Sequence, residues 1–105
     1  MIIQLNTDNN LSIKEAYGEK INSILTEKLD RFSDHITRIE VFLSDENGAK
    51  KGVNDRKCIL EARLEGRDPI AVSEFGNSHD QAISGAIDKL KASLDTIIGR
   101  MRSHS

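Results

Sequence analysis

The stretch KCILEARLEGRDPIAVSEF, Lys57 to Phe75, decides the fold. Its first half alternates. Cys58, Leu60, Ala62 and Leu64 fall on one side of an extended chain, and Lys57, Ile59, Glu61, Arg63 and Glu65 on the other. Successive side chains of a strand point to opposite faces, so a period of two with one apolar set predicts a strand with one buried and one solvated face. Gly66, Arg67, Asp68 and Pro69 spell a tight turn, and Ile70 to Phe75 a further short strand. Pro69 has no backbone donor, which assigns it to the start of that strand or to a sheet edge.

Upstream, ITRIEVFLSDE (Ile36 to Glu46) has the same period. Ile39, Val41 and Leu43 point one way, and Arg38, Glu40, Phe42 and Ser44 the other. The loop NGAKKG (Asn47 to Gly52) joins the two alternating runs, so they are expected to pair antiparallel. The whole connection from Asp45 to Lys57 is crowded with charge: Asp45, Glu46, Lys50, Lys51, Asp55, Arg56 and Lys57. Its carboxylates lack the spacing and glycine of a calcium-binding loop, and it reads as a solvated hairpin tip.

Flanking this meander are two helical patterns. IIQLNT (Ile2 to Thr7) reads as a strand closed by the turn Asp8-Asn9-Asn10. SIKE then offers a capping box between Ser12 and Glu15. Ile13, Tyr17, Ile21, Ile24, Leu25 and Phe32 follow at helical spacing, predicting a long helix that tolerates Gly18 and ends near Ser33 or Asp34. SHDQ (Ser78 to Gln81) is a second capping box, and Ile83, Ala86, Ile87, Leu90, Leu94, Ile97 and Met101 carry a second helix nearly to the end. The order is β-α-β-β-β-α. With one apolar stripe per helix and one apolar face per strand, the economical packing is an α+β fold: a four-stranded sheet with both helices on one face.

At 105 residues the chain is expected to be one domain spanning 1–105. A formal charge of -2 excludes a uniformly basic nucleic-acid binder but leaves room for a local basic patch. No signal peptide or membrane-spanning run is visible, and a cytoplasmic protein is expected. Cys58, the one cysteine, is on the inward strand face and reads as a buried structural thiol. His35 and His79 flank helix ends beside Asp34 and Asp80, where histidines usually cap or solvate. No nucleophile, base and orienting group assemble from the pattern, so neither an enzyme nor a metal or other cofactor is expected.

Three segments carry a resemblance: HITRIEVFLSDENG (His35 to Gly48), CILEARLEGRDPIAV (Cys58 to Val72) and DQAISGAIDKLKASLD (Asp80 to Asp95), together with the first-helix ending LTEKLDRF (Leu25 to Phe32). In this order they resemble the bacterial ribosome hibernation-promoting factor and ribosome-associated inhibitor family, also called sigma-54 modulation proteins. The resemblance implies a small domain that lies in the messenger and tRNA channel of the small ribosomal subunit, touching ribosomal RNA through basic helix residues and blocking translation under stress. It implies the short type, without a C-terminal dimerisation domain, acting as a monomer or at most a weak dimer, with no DNA or membrane partner. Where short members carry a basic tail, this chain has DTIIGRMRSHS (Asp95 to Ser105).

On an ideal helix of about 100° per residue, Lys20 and Arg31 share a flank and Lys28 lies toward the apolar side. Lys89 with Arg100 and Lys91 with Arg102 occupy opposite flanks of the second stripe. The resemblance matches Lys28 and Lys89 best to family basic positions, then Lys20, Arg31 and Lys91, and these five are the expected RNA-binding residues. Two other readings stand beside this one. One is a protein-interaction module on the same fold, using the charged hairpin around Asp45, Glu46 and Lys50. The other is a metal-responsive domain using His35 and nearby carboxylates.

Overall fold

The fold is that of a computed structural model, which describes residues 1–7, 14–45 and 56–103, the last three as helix backbone. The elements run β1 (Ile2–Thr7), α1 (Glu15–Lys28), a short 3₁₀ turn (Asp30–Phe32), β2 (Ile36–Asp45), β3 (Arg56–Leu64), β4 (Ile70–Gly76) and α2 (His79–Ser103). The strands lie side by side in chain order. β1 is parallel to β2, and α1 makes the crossover that a parallel pair requires. β2, β3 and β4 form an antiparallel meander.

The period-two reading holds residue by residue. Ile39, Val41, Leu43, Cys58, Leu60, Ala62 and Leu64 are all buried beneath the helices. Ile21 and Leu25 of α1 and Ala82, Ile83, Ala86, Ile87, Leu90 and Leu94 of α2 join them in one core. Opposite faces of the strands carry Arg38, Glu40, Phe42, Ile59, Glu61, Arg63 and Phe75, leaving one side of the sheet uncovered. There Arg63 reaches both Glu40 (3.6 Å) and Glu61 (3.4 Å), easing the repulsion of two carboxylates set directly across from each other.

The turn after β3 is closed by the Arg67 N–H to the Leu64 carbonyl at 3.4 Å. Gly66 has φ 72°, left-handed backbone that a residue without Cβ adopts at little cost. Pro69 directly precedes β4, which is an edge strand. Asp45 and Arg56 are partners in the ladder and pair at 3.1 Å, clamping the base of the charged hairpin. The hairpin tip, residues 46–55, lies outside the described residues.

Two expectations need correction at the helices. α1 stops at Lys28 rather than near Ser33: Leu29 still bonds to the Leu25 carbonyl, but its φ of -108° and ψ of 11° leave the helical well. The chain then tightens into i to i+3 bonds, Phe32 to Leu29 and Ser33 to Asp30, which tuck the Phe32 ring into the core. In α2 the position buried after Leu94 is Ile98, four residues on, with Ile97 only half-buried. Ser12 and Ile13 of the first capping box lie outside the described residues, and Lys14 precedes α1 without a side-chain cap. The second cap forms with a shifted partner. The Gln81 N–H donates to Ser78 Oγ (3.2 Å), while Gln81 Oε1 accepts from the backbone of Asn77 (2.9 Å), one residue before the expected donor.

Candidate functional site

α1 and α2 lie alongside each other on the sheet, running the same way. Tyr17 and Lys20 reach Asp80 at one end, and Arg31 reaches Asp95 at the other. Tyr17 and Arg31 are 14 residues apart and Asp80 and Asp95 15, so the seam is about 20 Å long at about 1.5 Å of rise per residue. Between the ties is a groove of about 270 Å³, lined by Ile24 and Lys28 from α1 and by Asp80, Ile83, Ser84, Ile87, Asp88 and Lys91 from α2.

Four of the five expected basic residues meet here. Lys28 and Lys91 stand on opposite walls of the groove. Neither has an ion pair or hydrogen bond among the described residues, and the same is true of Asp88. Lys20 sits 3.5 Å from Asp80 and 5.8 Å from the centre of the Tyr17 ring. Arg31 holds Asp95 at 2.8 Å and stacks over Phe32, 4.2 Å from its ring centre. Four cations thus face three carboxylates, Asp80, Asp88 and Asp95, and the seam is only slightly positive.

Lys89 is elsewhere. Two residues from Lys91 is more than half a helical turn, which points Lys89 at the edge of the sheet. Its ammonium donates to the Ser73 carbonyl at 2.9 Å and lies 3.5 Å from Glu74. Glu74 also accepts from the Phe75 N–H at 3.0 Å. Together the two side chains occupy a carbonyl and an amide on the free edge of β4, closing a row that would otherwise invite another strand. Spacing alone does not reveal this, because the Lys89–Glu74 pairing depends on which flank of α2 meets β4.

The Tyr17–Asp80 bond, 2.6 Å, is the other feature that spacing did not reveal. The phenol, donating to Asp80, lowers the carboxyl pKa, Lys20 adds to this, and partial burial opposes it. Burial and the same bond raise the Tyr17 pKa well above that of a free phenol. At Cys58 burial alone pushes the thiol up to about 12, as befits a core residue with no activating neighbour. His79 Nε2 lies 3.4 Å from the Ser44 carbonyl, tying the start of α2 to β2. Among the described residues no group of three or more histidine, cysteine, aspartate or glutamate side chains is arranged to hold a metal. Nor is any helix among them long and apolar enough to cross a membrane.

Comparison with known proteins agrees with this architecture. Residues 5–102 match the model of a family described as sigma 54 modulation protein / S30EA ribosomal protein. The chain belongs to that family. Among solved structures, the N-terminal domain of Thermus thermophilus Protein Y superposes with a TM-score of 0.73 at 24% identity, covering 92% of this chain and 99% of that one. A ribosomal subunit interface protein from Coxiella burnetii superposes with a TM-score of 0.66 at 22% identity, covering 94% and 99%. No curated protein matches the sequence. At these identities the S30EA likeness to solved structures speaks for the fold, and the seam has to be argued from its own residues.

Proposed function

We propose that this S30EA-family chain is a cytoplasmic, non-catalytic ribosome-associated factor that lays its helical face on ribosomal RNA of the small subunit and blocks the messenger and tRNA channel by occupying it. The observation that carries this reading is the pair Lys28 and Lys91, two cations without partners among the described residues that face each other across the interhelical groove, with Lys20 and Arg31 continuing the line. Such a row suits the backbone of folded RNA, which proteins engage by shape and phosphate position. Membership of a family whose description includes a ribosomal protein supports the same partner. Lys89, engaged at the sheet edge, is a secondary contact in this reading.

The test is co-sedimentation of purified protein with vacant ribosomes across a salt series. Stoichiometric pelleting with the small subunit that weakens as salt rises, and that is lost in Lys28→Glu with Lys91→Glu, is the expected result. Pelleting that survives both reversals rules out the seam as the contact.

A second reading, a protein-interaction module, draws on the uncovered sheet face. Phe42 and Phe75 are 38% and 46% exposed there, with the Lys57 ammonium 5.3 Å from the centre of the Phe75 ring. Loss of pelleting on Phe42→Ser with Phe75→Ser, with the lysine reversals silent, would favour that face.

A further inference from the structure

A strip that binds phosphates needs no apolar floor, yet the interhelical groove has one. Ile83 and Ile87 are almost fully buried at its base and Ile24 is half-buried beside them. Its 270 Å³ is near the low end of the roughly 300–1,000 Å³ of small-molecule clefts. The rim carries three charges without partners among the described residues: Lys28, Lys91 and Asp88. Asp80, the other carboxylate of the lining, is already engaged by Tyr17 and Lys20. A pure phosphate ligand would be attracted by the lysines and repelled by Asp88. A ligand that satisfies all three must bring an anion, an apolar ring and hydrogen-bond donors.

We propose that this groove takes one unstacked nucleotide whose base carries an amino group. The base lies on Ile24, Ile83 and Ile87, its N–H groups donate to Asp88, and its phosphate is held between Lys28 and Lys91. The proposal rests on the RNA-binding reading of the seam and gives it a chemical preference. An ionised carboxylate only accepts, so it selects the amino groups of cytosine and adenine and, best, the parallel N1–H and N2–H of guanine. Uracil offers a single imide N–H flanked by two carbonyl oxygens that would face the carboxylate. Loops and ends of folded RNA supply splayed bases of this kind, and apolar side chains commonly receive a base taken out of its stack.

The experiment is a nitrogen-15 NMR titration of the full chain with GMP, CMP, AMP, UMP and ribose 5-phosphate. GMP, CMP and AMP are expected to shift the amides of Ile24, Ser84, Ile87 and Asp88. UMP and ribose 5-phosphate are expected to bind at least about fivefold more weakly, the low end of discrimination by a paired base contact. Ser84→Phe, which fills the groove from an exposed helical position and leaves all four cations, should abolish the nucleotide response. Asp88→Asn should erase the preference for GMP over UMP. Equal responses to GMP and ribose 5-phosphate, or shifts outside the groove, overturn the proposal. Ribosome pelleting separates the two ideas. A GMP response that survives Ser84→Phe in a protein that pellets normally refutes the nucleotide pocket and spares the ribosome reading. GMP shifts in the groove of a protein that never pellets do the reverse.

Discussion

The seam holds its own competitors for phosphate, and this gives a test in which removing acidic groups strengthens binding. Lys20 is tied to Asp80 and Arg31 to Asp95, while Lys28 and Lys91 are unpartnered among the described residues. If the two ties persist in the complex, only two cations neutralise phosphates. At about 0.8 counterions released per phosphate, affinity then falls about tenfold between 50 and 200 mM salt. Asp80→Asn with Asp95→Asn frees Lys20 and Arg31. Four cations then act, and the same change of salt costs about 80-fold. The asparagine oxygen at position 80 can still accept from Tyr17, and exposed ion pairs contribute at most about 1 kcal/mol each, so the fold is expected to survive. The assay is fluorescence anisotropy of labelled protein against vacant small subunits at four salt concentrations. A steeper salt slope and tighter binding at 50 mM is the expected outcome. An unchanged slope with unchanged affinity would mean that these four residues do not meet phosphate, and the mechanism argued for the seam would fall.

Other perturbations test the fold and its titrating groups. A Cβ on Gly76 would sit 2.8 Å from both the Ala82 amide nitrogen and Gln81 Cβ, whereas one on Gly99 meets nothing within 4 Å. Gly76→Ala is therefore expected to destabilise by about 1–3 kcal/mol and Gly99→Ala to stabilise by up to about 1 kcal/mol, as read by urea unfolding. The Tyr17–Asp80 bond sets two pH limits of opposite sense. Asp80 is held below its unfolded pKa, so its contribution is complete above about pH 4 and is lost as pH falls further. Tyr17 is held above its unfolded pKa, so its contribution is complete below about pH 10 and is lost as pH rises. Tyr17→Phe should flatten much of the alkaline decline in Tm, and an unaltered profile would assign the decline elsewhere. Cys58, buried with its pKa pushed up to about 12, should react with a thiol reagent only on unfolding, at a rate that tracks global stability.

The strands were legible because burial in a sheet is local and binary. Each inward residue from Ile39 to Leu64 has polar or exposed neighbours, and that contrast survives without any knowledge of what packs above it. Helix ends were less legible because they are set by tertiary demand. Leu25, Leu29 and Phe32 satisfy helical spacing, yet Phe32 reaches the core only through the tighter 3₁₀ turn, which spacing alone does not distinguish from another turn of α-helix. Similarly, Leu94 could be followed by Ile97 or Ile98, and only the packing of α2 on the sheet shows that the latter is the more deeply buried.

The site shows the sharper limit. Sequence placed Lys89 and Lys91 on opposite flanks of α2, which is right, but whichever flank meets α1 joins the seam, and that depends on packing handedness rather than periodicity. The structure answers it: Lys91 faces Lys28 across the groove, and Lys89 closes the edge of β4. The same packing brings Asp80 and Asp95 opposite Lys20 and Arg31, pairs 60 and 64 residues apart that no local pattern could have matched. The carboxylates set among these cations are thus part of an ordered arrangement. Paired charges hold the two ends of the seam, and those without partners among the described residues are concentrated over the apolar floor at its middle. If the seam is the RNA contact proposed above, such a surface would not bind every polyanion equally, because a ligand would gain most where it finds Lys28, Lys91 and Asp88 together.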